Sequence, residues 1–108
     1  MLEIGKEISP VLLNRLLSQC NQETYPSRRL LLAIEKSLFH ISIWQESTYT
    51  LYGFVRATSD KGLNANLWNL VVKPSDMQHQ LMSVLVNRAL LILKRDMPGC
   101  SISIAAPQ

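Results

Sequence analysis

The apolar residues of this chain change their spacing twice, and those changes divide it into helices and strands. Val11, Leu12, Leu16 and Leu17 recur at the helical period, which predicts a helix beginning at Pro10 and ending near Cys20. Ser9 and Pro10 suit its entry, because a serine oxygen can accept from free first-turn N–H groups and proline fits the first helical position. A polar break, Asn21, Gln22, Glu23 and Thr24, leads through Tyr25 and Pro26 to Ser27, which reads as a second cap. From Arg28, the residues Leu30, Leu31, Ile34 and Leu38 mark one face of a second helix, with Arg28, Arg29, Glu35 and Lys36 on the other.

At Phe39 the period becomes two. Phe39, Ile41 and Ile43 alternate with His40, Ser42 and Trp44, which predicts a strand with one buried face. A turn starting at Gln45 precedes a second strand, expected to begin at Tyr49 and end at Thr58. The turn Ser59, Asp60, Lys61, Gly62 leads to a third, beginning at Ala65 and ending at Lys73. Together these runs predict an antiparallel meander. Past Pro74 a polar loop opens a helix from His79 to Asp96 that is apolar on most of its circumference. Pro98 and Gly99 then turn the chain into a last strand beginning at Cys100 and ending at Ala105. A strand, a helix and another strand in that order predict that the last strand lies parallel to the third, through a right-handed crossover.

Composition narrows the function classes. With 108 residues, 47% of them hydrophobic, residues 1–108 form one domain. No apolar run approaches the roughly 20 residues of a membrane-spanning helix, and the start MLEIGKEIS lacks the basic stretch and apolar core of an export signal, so a cytoplasmic location is expected. Cys20 and Cys100 sit in no CxxC or Cys/His cluster and read as reduced core thiols, and no metal site is expected at His40 or His79. A net charge of +3 comes from scattered Lys and Arg without a basic, aromatic-interleaved stripe, which argues against nucleic acid as a partner. Trp44 and Trp68 read as packing on the sheet.

Two stretches carry a resemblance to a known family. LYGFVRATSD, starting at Leu51, is similar to the LVGFxR strand and turn of the GNAT superfamily of N-acetyltransferases. NLWNLVVKPSDMQHQLMSVLVNRAL, starting at Asn66, resembles that family's cofactor motif, D-V-V-V-x-P-x-x-Q-G-x-G-x-G-x-x-L. The similarity runs from Arg28 to Ala106 and looks most like the cyanobacterial and plastid members. It implies an α/β class (α+β with a mixed sheet), with a β-α-α-β-β-β-α-β core lacking the family's C-terminal helix and strands. It also implies acetyl-CoA as cofactor. In the family the third strand of the meander bends away from the last strand, and its exposed backbone pairs with the cofactor's pantetheine arm; Leu70, Val71 and Val72 match those positions. The following loop and helix tip, which bind pyrophosphate through free N–H groups, match Met77, Gln78, His79, Gln80, Leu81 and Met82.

This sequence departs from the motif where the motif is most informative. Met77 replaces Gln or Arg, Gln78 and Gln80 stand where glycine is common, and Met82 replaces the last Gly or Ala. Asp76 adds a negative charge that Lys73 and His79 only partly offset. Asn69 occupies the place of an acidic residue that accepts the amine proton, and an amide is no base at neutral pH. The family's general-acid tyrosine comes from a later helix, and Tyr25, Tyr49 and Tyr52 lie in the wrong segments to replace it. No catalytic residue is therefore assigned. The expectation is an acetyltransferase-like protein, weak or inactive in acetyl transfer to an amine, or alternatively a non-catalytic interaction or ligand-binding module. A homodimer or protein partner is expected at the edge running from Cys100 to Ala105 or on the helix ending at Asp96.

Overall fold

Ser9 opens the first helix as its pattern predicts. In the computed structural model, which describes residues 1–105, helix α1 spans Pro10–Gln19 and the Ser9 hydroxyl accepts from the Val11 N–H at 3.2 Å. Leu13, Leu16 and Leu17 are its buried stripe. Helix α2, Ser27–Lys36, starts differently from expectation. Pro26 is the N-cap and Ser27 the first helical residue, with no side-chain cap bond, because the fixed φ of proline leaves Pro26 extended at the boundary. Leu38 does not continue this helix. Ser37 turns extended, and the Leu38 N–H donates to the Ala57 carbonyl at 2.7 Å, pulling the chain into the sheet.

Five strands form one sheet in sequence order: β1 Leu2–Ile4, β2 Phe39–Gln45, β3 Thr50–Ser59, β4 Asn64–Val72 and β5 Ser101–Ile104. The first four pair antiparallel, and β5 joins β4 in parallel after helix α3, Gln78–Asp96. The meander and the parallel last strand are thus as predicted, and the element order is that of the GNAT core. Ala106, the last residue of the resemblance, lies outside the described residues. At the β3–β4 turn, Asp60 Oδ1 accepts the N–H groups of Gly62, Leu63 and Asn64, and these bonds hold its carboxyl below the usual carboxylate range.

Helices cover both faces of the sheet, and this corrects the one-faced reading of β2. Ile41, Ser42, Ile43 and Trp44 are all buried. On one face α1 and α2 pack against Trp44, Leu51, Phe54 and Val71. On the other, α3 packs against Ile41, Ile43, Val55, Ala57, Leu67 and Val72. Trp44 is buried with its indole N–H on the Ser42 hydroxyl, whereas Trp68 is 39% exposed. His40 donates from Nε2 to the Lys6 carbonyl at 2.7 Å and stacks on Phe54, a structural role. Helix α3 buries a single stripe of Leu85, Ala89 and Leu93, leaving Val84 at 44% and Leu91 at 64% exposure on its outer side. Gly53 permits its close approach, since a Cβ there would stand 3.2 Å from Leu85 Cδ1.

Among the described residues no helix is long and apolar enough to cross a membrane. Leu85 is fully buried where α3 crosses β3, so Leu85→Ala should cost about 2–5 kcal/mol by lost contacts and a residual cavity. Urea denaturation of the two proteins measures that difference.

Candidate functional site

The site begins where β4 loses its regular register. Phe54 faces Val71 and Arg56 faces Trp68, so Asn69 and Leu70 together oppose Val55 alone. This is a β-bulge, and Asn69 takes a left-handed φ of 54°, which asparagine tolerates better than most residues. The bulge shifts the alternation by one position. Leu70 and Val72 consequently belong to the α3 side of the sheet and Val71 to the α1–α2 side. Arg56 pins the bulge: its Nε–H donates to Asn69 Oδ1 at 2.7 Å, and Nη1 donates to the Ser37 hydroxyl at 3.4 Å.

Beyond the bulge, β4 presents a free edge. Its pairing with β5 covers only Asn64, Ala65, Asn66 and Leu67, closed by a bond from the Ala105 N–H to the Leu67 carbonyl at 2.9 Å. Leu70, Val71 and Val72 have β3 on one side and, among the described residues, no strand on the other. The Lys73 N–H points into the sheet and donates to the Tyr52 carbonyl at 2.7 Å. The Val72–Lys73 peptide is trans, so the Val72 carbonyl must point the opposite way, onto the free edge. Two side chains of the same chain occupy it there. Gln78 Nε2 donates at 3.0 Å and the Cys20 thiol at 3.2 Å. Burial pushes the Cys20 thiol above its ordinary pKa.

The loop after β4 and the tip of α3 complete the arrangement. Ser75 organises the loop, its hydroxyl accepting the Met77 N–H at 3.3 Å and its carbonyl accepting the Gln78 N–H at 3.2 Å. Met77 is the N-cap of α3 without a side-chain cap bond, and the first turn contains no acid. His79 and Gln80 are exposed at this uncapped tip, where first-turn N–H groups lack intrahelical acceptors. Leu81 and Met82 turn inward and pack against the α3-side core. Lys73 is drawn aside, its Nζ lying 5.3 Å from the centre of the Tyr52 ring.

The nine sequence-predicted positions therefore divide by location. Val72 and Gln78 meet at the free edge, Leu70 lies on the same strand segment and packs on the α3 side, Val71 anchors the strand in the α1–α2 core, and Leu81 and Met82 anchor the helix. Met77, His79 and Gln80 form the exposed tip. Sequence reasoning missed Cys20 and Arg56 as members of this region. For Asn69 a signal did exist: an asparagine inside a run of β-formers is a candidate left-handed residue, hence a candidate bulge. Among the described residues no group of His, Cys, Asp and Glu could hold a metal ion.

No family model matches the chain. It is 29% identical over 96 residues to an uncharacterized N-acetyltransferase ycf52 of Pyropia yezoensis, an overlap covering 87% of this chain and 55% of that protein. It is 31% identical over 64 residues to a ycf52-like N-acetyltransferase of Prochlorococcus marinus, covering 57% of this chain and 36% of that one. The chain thus spans about half or less of the length of these relatives. Among solved structures, a probable acetyltransferase of meticillin-resistant Staphylococcus aureus superposes with a TM-score of 0.84 at 14% identity, covering 98% of this chain and 80% of that one. A GNAT-family acetyltransferase of Streptococcus pneumoniae gives a TM-score of 0.74 at 15% identity, over 100% of this chain and 76% of its own. The chain has the fold of GNAT acetyltransferases and is similar in sequence to ycf52 and ycf52-like N-acetyltransferases of Pyropia yezoensis and Prochlorococcus marinus.

Proposed function

We propose that this chain is an acetyltransferase-like domain that binds acetyl-CoA weakly along the free edge of β4 and transfers acetyl groups to an amine poorly. The carrying observation is the occupied Val72 carbonyl. A cofactor arm that pairs through its own amides needs that carbonyl as an acceptor, and the primary amide of Gln78 already donates to it. The uncapped tip of α3 supplies N–H donors and a positive helix end for phosphate. The side chains of Gln78 and Gln80 stand where the family keeps glycine, however, and Lys73 is turned toward Tyr52. The same segment supports slow chemistry, because Asn69 is an amide engaged by Arg56 rather than a base.

Titration of labelled protein with acetyl-CoA, followed by NMR, tests this reading. Weak, saturable shifts at residues 70–82 are expected; micromolar binding would show that the Gln78 contact is no barrier, and no shift at all would remove the site. Replacing Gln78 by alanine removes the amide donor from the Val72 carbonyl and leaves only the Cys20 thiol, a weak donor. With a net hydrogen-bond contribution of about 0.5–1.5 kcal/mol, acetyl-CoA should then bind about 2–10-fold more tightly, and the combined Gln78→Gly, Gln80→Gly and Met82→Gly variant more tightly again. Because burial raises its pKa, Cys20 should react with iodoacetamide at neutral pH more slowly than an unfolded-chain thiol, which mass spectrometry of native and denatured protein compares directly.

A second reading is favoured by the exposed Val84 and Leu91 on the outer side of α3 and by the exposed residues of β5. We propose that this side, including residues 100–105, pairs with a second copy of the chain. Sedimentation over a wide concentration range should show a concentration-dependent dimer that Leu91→Glu weakens; a monomer throughout removes this reading.

A further inference from the structure

A cavity opens beside the Asn69 bulge, between α2 and the sheet. It measures about 190 Å³ and is lined by Tyr25, Arg29, Leu30, Ala33, Arg56 and Asn69. At ~30 Å³ per water molecule, that is room for roughly six waters or one small organic molecule. Its charge is one-sided. Two arginines line it and, among the described residues, no carboxylate does. Among the described residues the one ion pair, Arg95 with Asp96, lies elsewhere.

Arg56 is the informative group. It is half-buried between α2 and β4, and its Nε–H and Nη1 are used by Asn69 and Ser37, both neutral. Its remaining N–H donors have no protein acceptor among the described residues, although the guanidinium fork presents more donors than these two bonds use. Desolvation lowers its pKa from the ordinary value, with the nearby Tyr25 acting in the opposite direction. A desolvated cation without a counter-charge is unfavourable unless an anion joins it. The surroundings are built to receive one. Arg29, in the first turn of α2, lines the same cavity and places a second cation beside Arg56. The rim is fixed, because Asn14 holds the Tyr25 backbone by bonds of 2.8 and 3.1 Å.

We infer that this cavity binds the carboxylate of a small amino-acid-like amine, held between Arg29 and Arg56. The planar fork of arginine matches a carboxylate in two-point geometry. Among the described residues Asn69 Oδ1 accepts only from Arg56, which leaves a lone pair for an ammonium. Leu30 and Ala33 form the apolar part of the lining, and about 190 Å³ suits a small molecule. Asn69 precedes Leu70 directly, so an amine on this residue lies beside the strand proposed to carry acetyl-CoA. The inference thus rests on the proposed acyl-transfer ancestry for its biological meaning and names the acceptor class.

The test uses the intact, isotopically labelled chain without acetyl-CoA, with glycine as probe and glycinamide, the same amine lacking the carboxylate, as control. Glycine should saturably shift the Arg56 Nε–H signal and the backbone signals of Arg29 and Asn69. Glycinamide should bind about tenfold more weakly or worse, the loss that follows from removing a charged hydrogen-bonding partner. Arg29→Ala, at an exposed helix position, and Arg56→Gln should each weaken glycine binding by a similar factor. Should Arg56→Gln lose its folded spectrum, Arg29→Ala makes the comparison alone. Equal binding of glycine and glycinamide, glycine binding unchanged in Arg29→Ala, or no glycine-induced shift would overturn the inference. Acetyl-CoA is titrated separately and read at residues 70–82, so either site can fail while the other stands.

Discussion

The register slip between β3 and β4 is the constraint on which the site depends. One extra residue in β4, accommodated by the left-handed backbone of Asn69, changes which face every later residue of the strand presents. Trp68 and Asn69 thereby both come near Arg56, Val71 enters the core under α1 and α2, and Val72 enters the core under α3. The bulge also bends the strand at the point where its pairing with β5 has ended. A free backbone edge and a charged cavity therefore adjoin one residue, and both are consequences of a single irregularity.

The bulge itself is held by polar bonds rather than by packing. Arg56 connects three elements: its own strand β3, the bulged residue of β4, and Ser37 at the end of α2. Ser37 in turn donates to the Ala33 carbonyl in the last turn of α2. Ala33 of α2 is thus linked to Asn69 through three hydrogen bonds. Such half-buried polar contacts are weak individually and specific in direction.

At the free edge a different competition operates. The chain satisfies the Val72 carbonyl with its own amide and thiol, as a half-buried acceptor requires. A glycine at position 78 could not reach it. Replacing the glycine-like position by glutamine therefore both crowds the helix tip and supplies an internal donor for the strand. Because a net hydrogen bond contributes only about 0.5–1.5 kcal/mol, such an internal donor weakens a competing ligand without excluding it.

Local signals were enough to reveal the elements. Helical spacing at Leu16 and Leu17, the change of period at Phe39, the turn at Asp60 and the strand-helix-strand order after Ala65 fixed both the meander and a parallel last strand. Quoted motifs then pointed to the GNAT arrangement. Other features were decided by contacts between distant segments. Strand β1 has only three residues, too few for a readable period, and exists because β2 offers it a partner. The burial of both faces of β2 follows from α1, α2 and α3 arriving on opposite sides, which no alternation within β2 can encode. The bulge depends on how β3 and β4 align, and the occupied Val72 carbonyl on Cys20, which is 52 residues away, meeting Gln78. Periodicity records what each segment prefers by itself; a register and a shared hydrogen bond exist only once two segments have met.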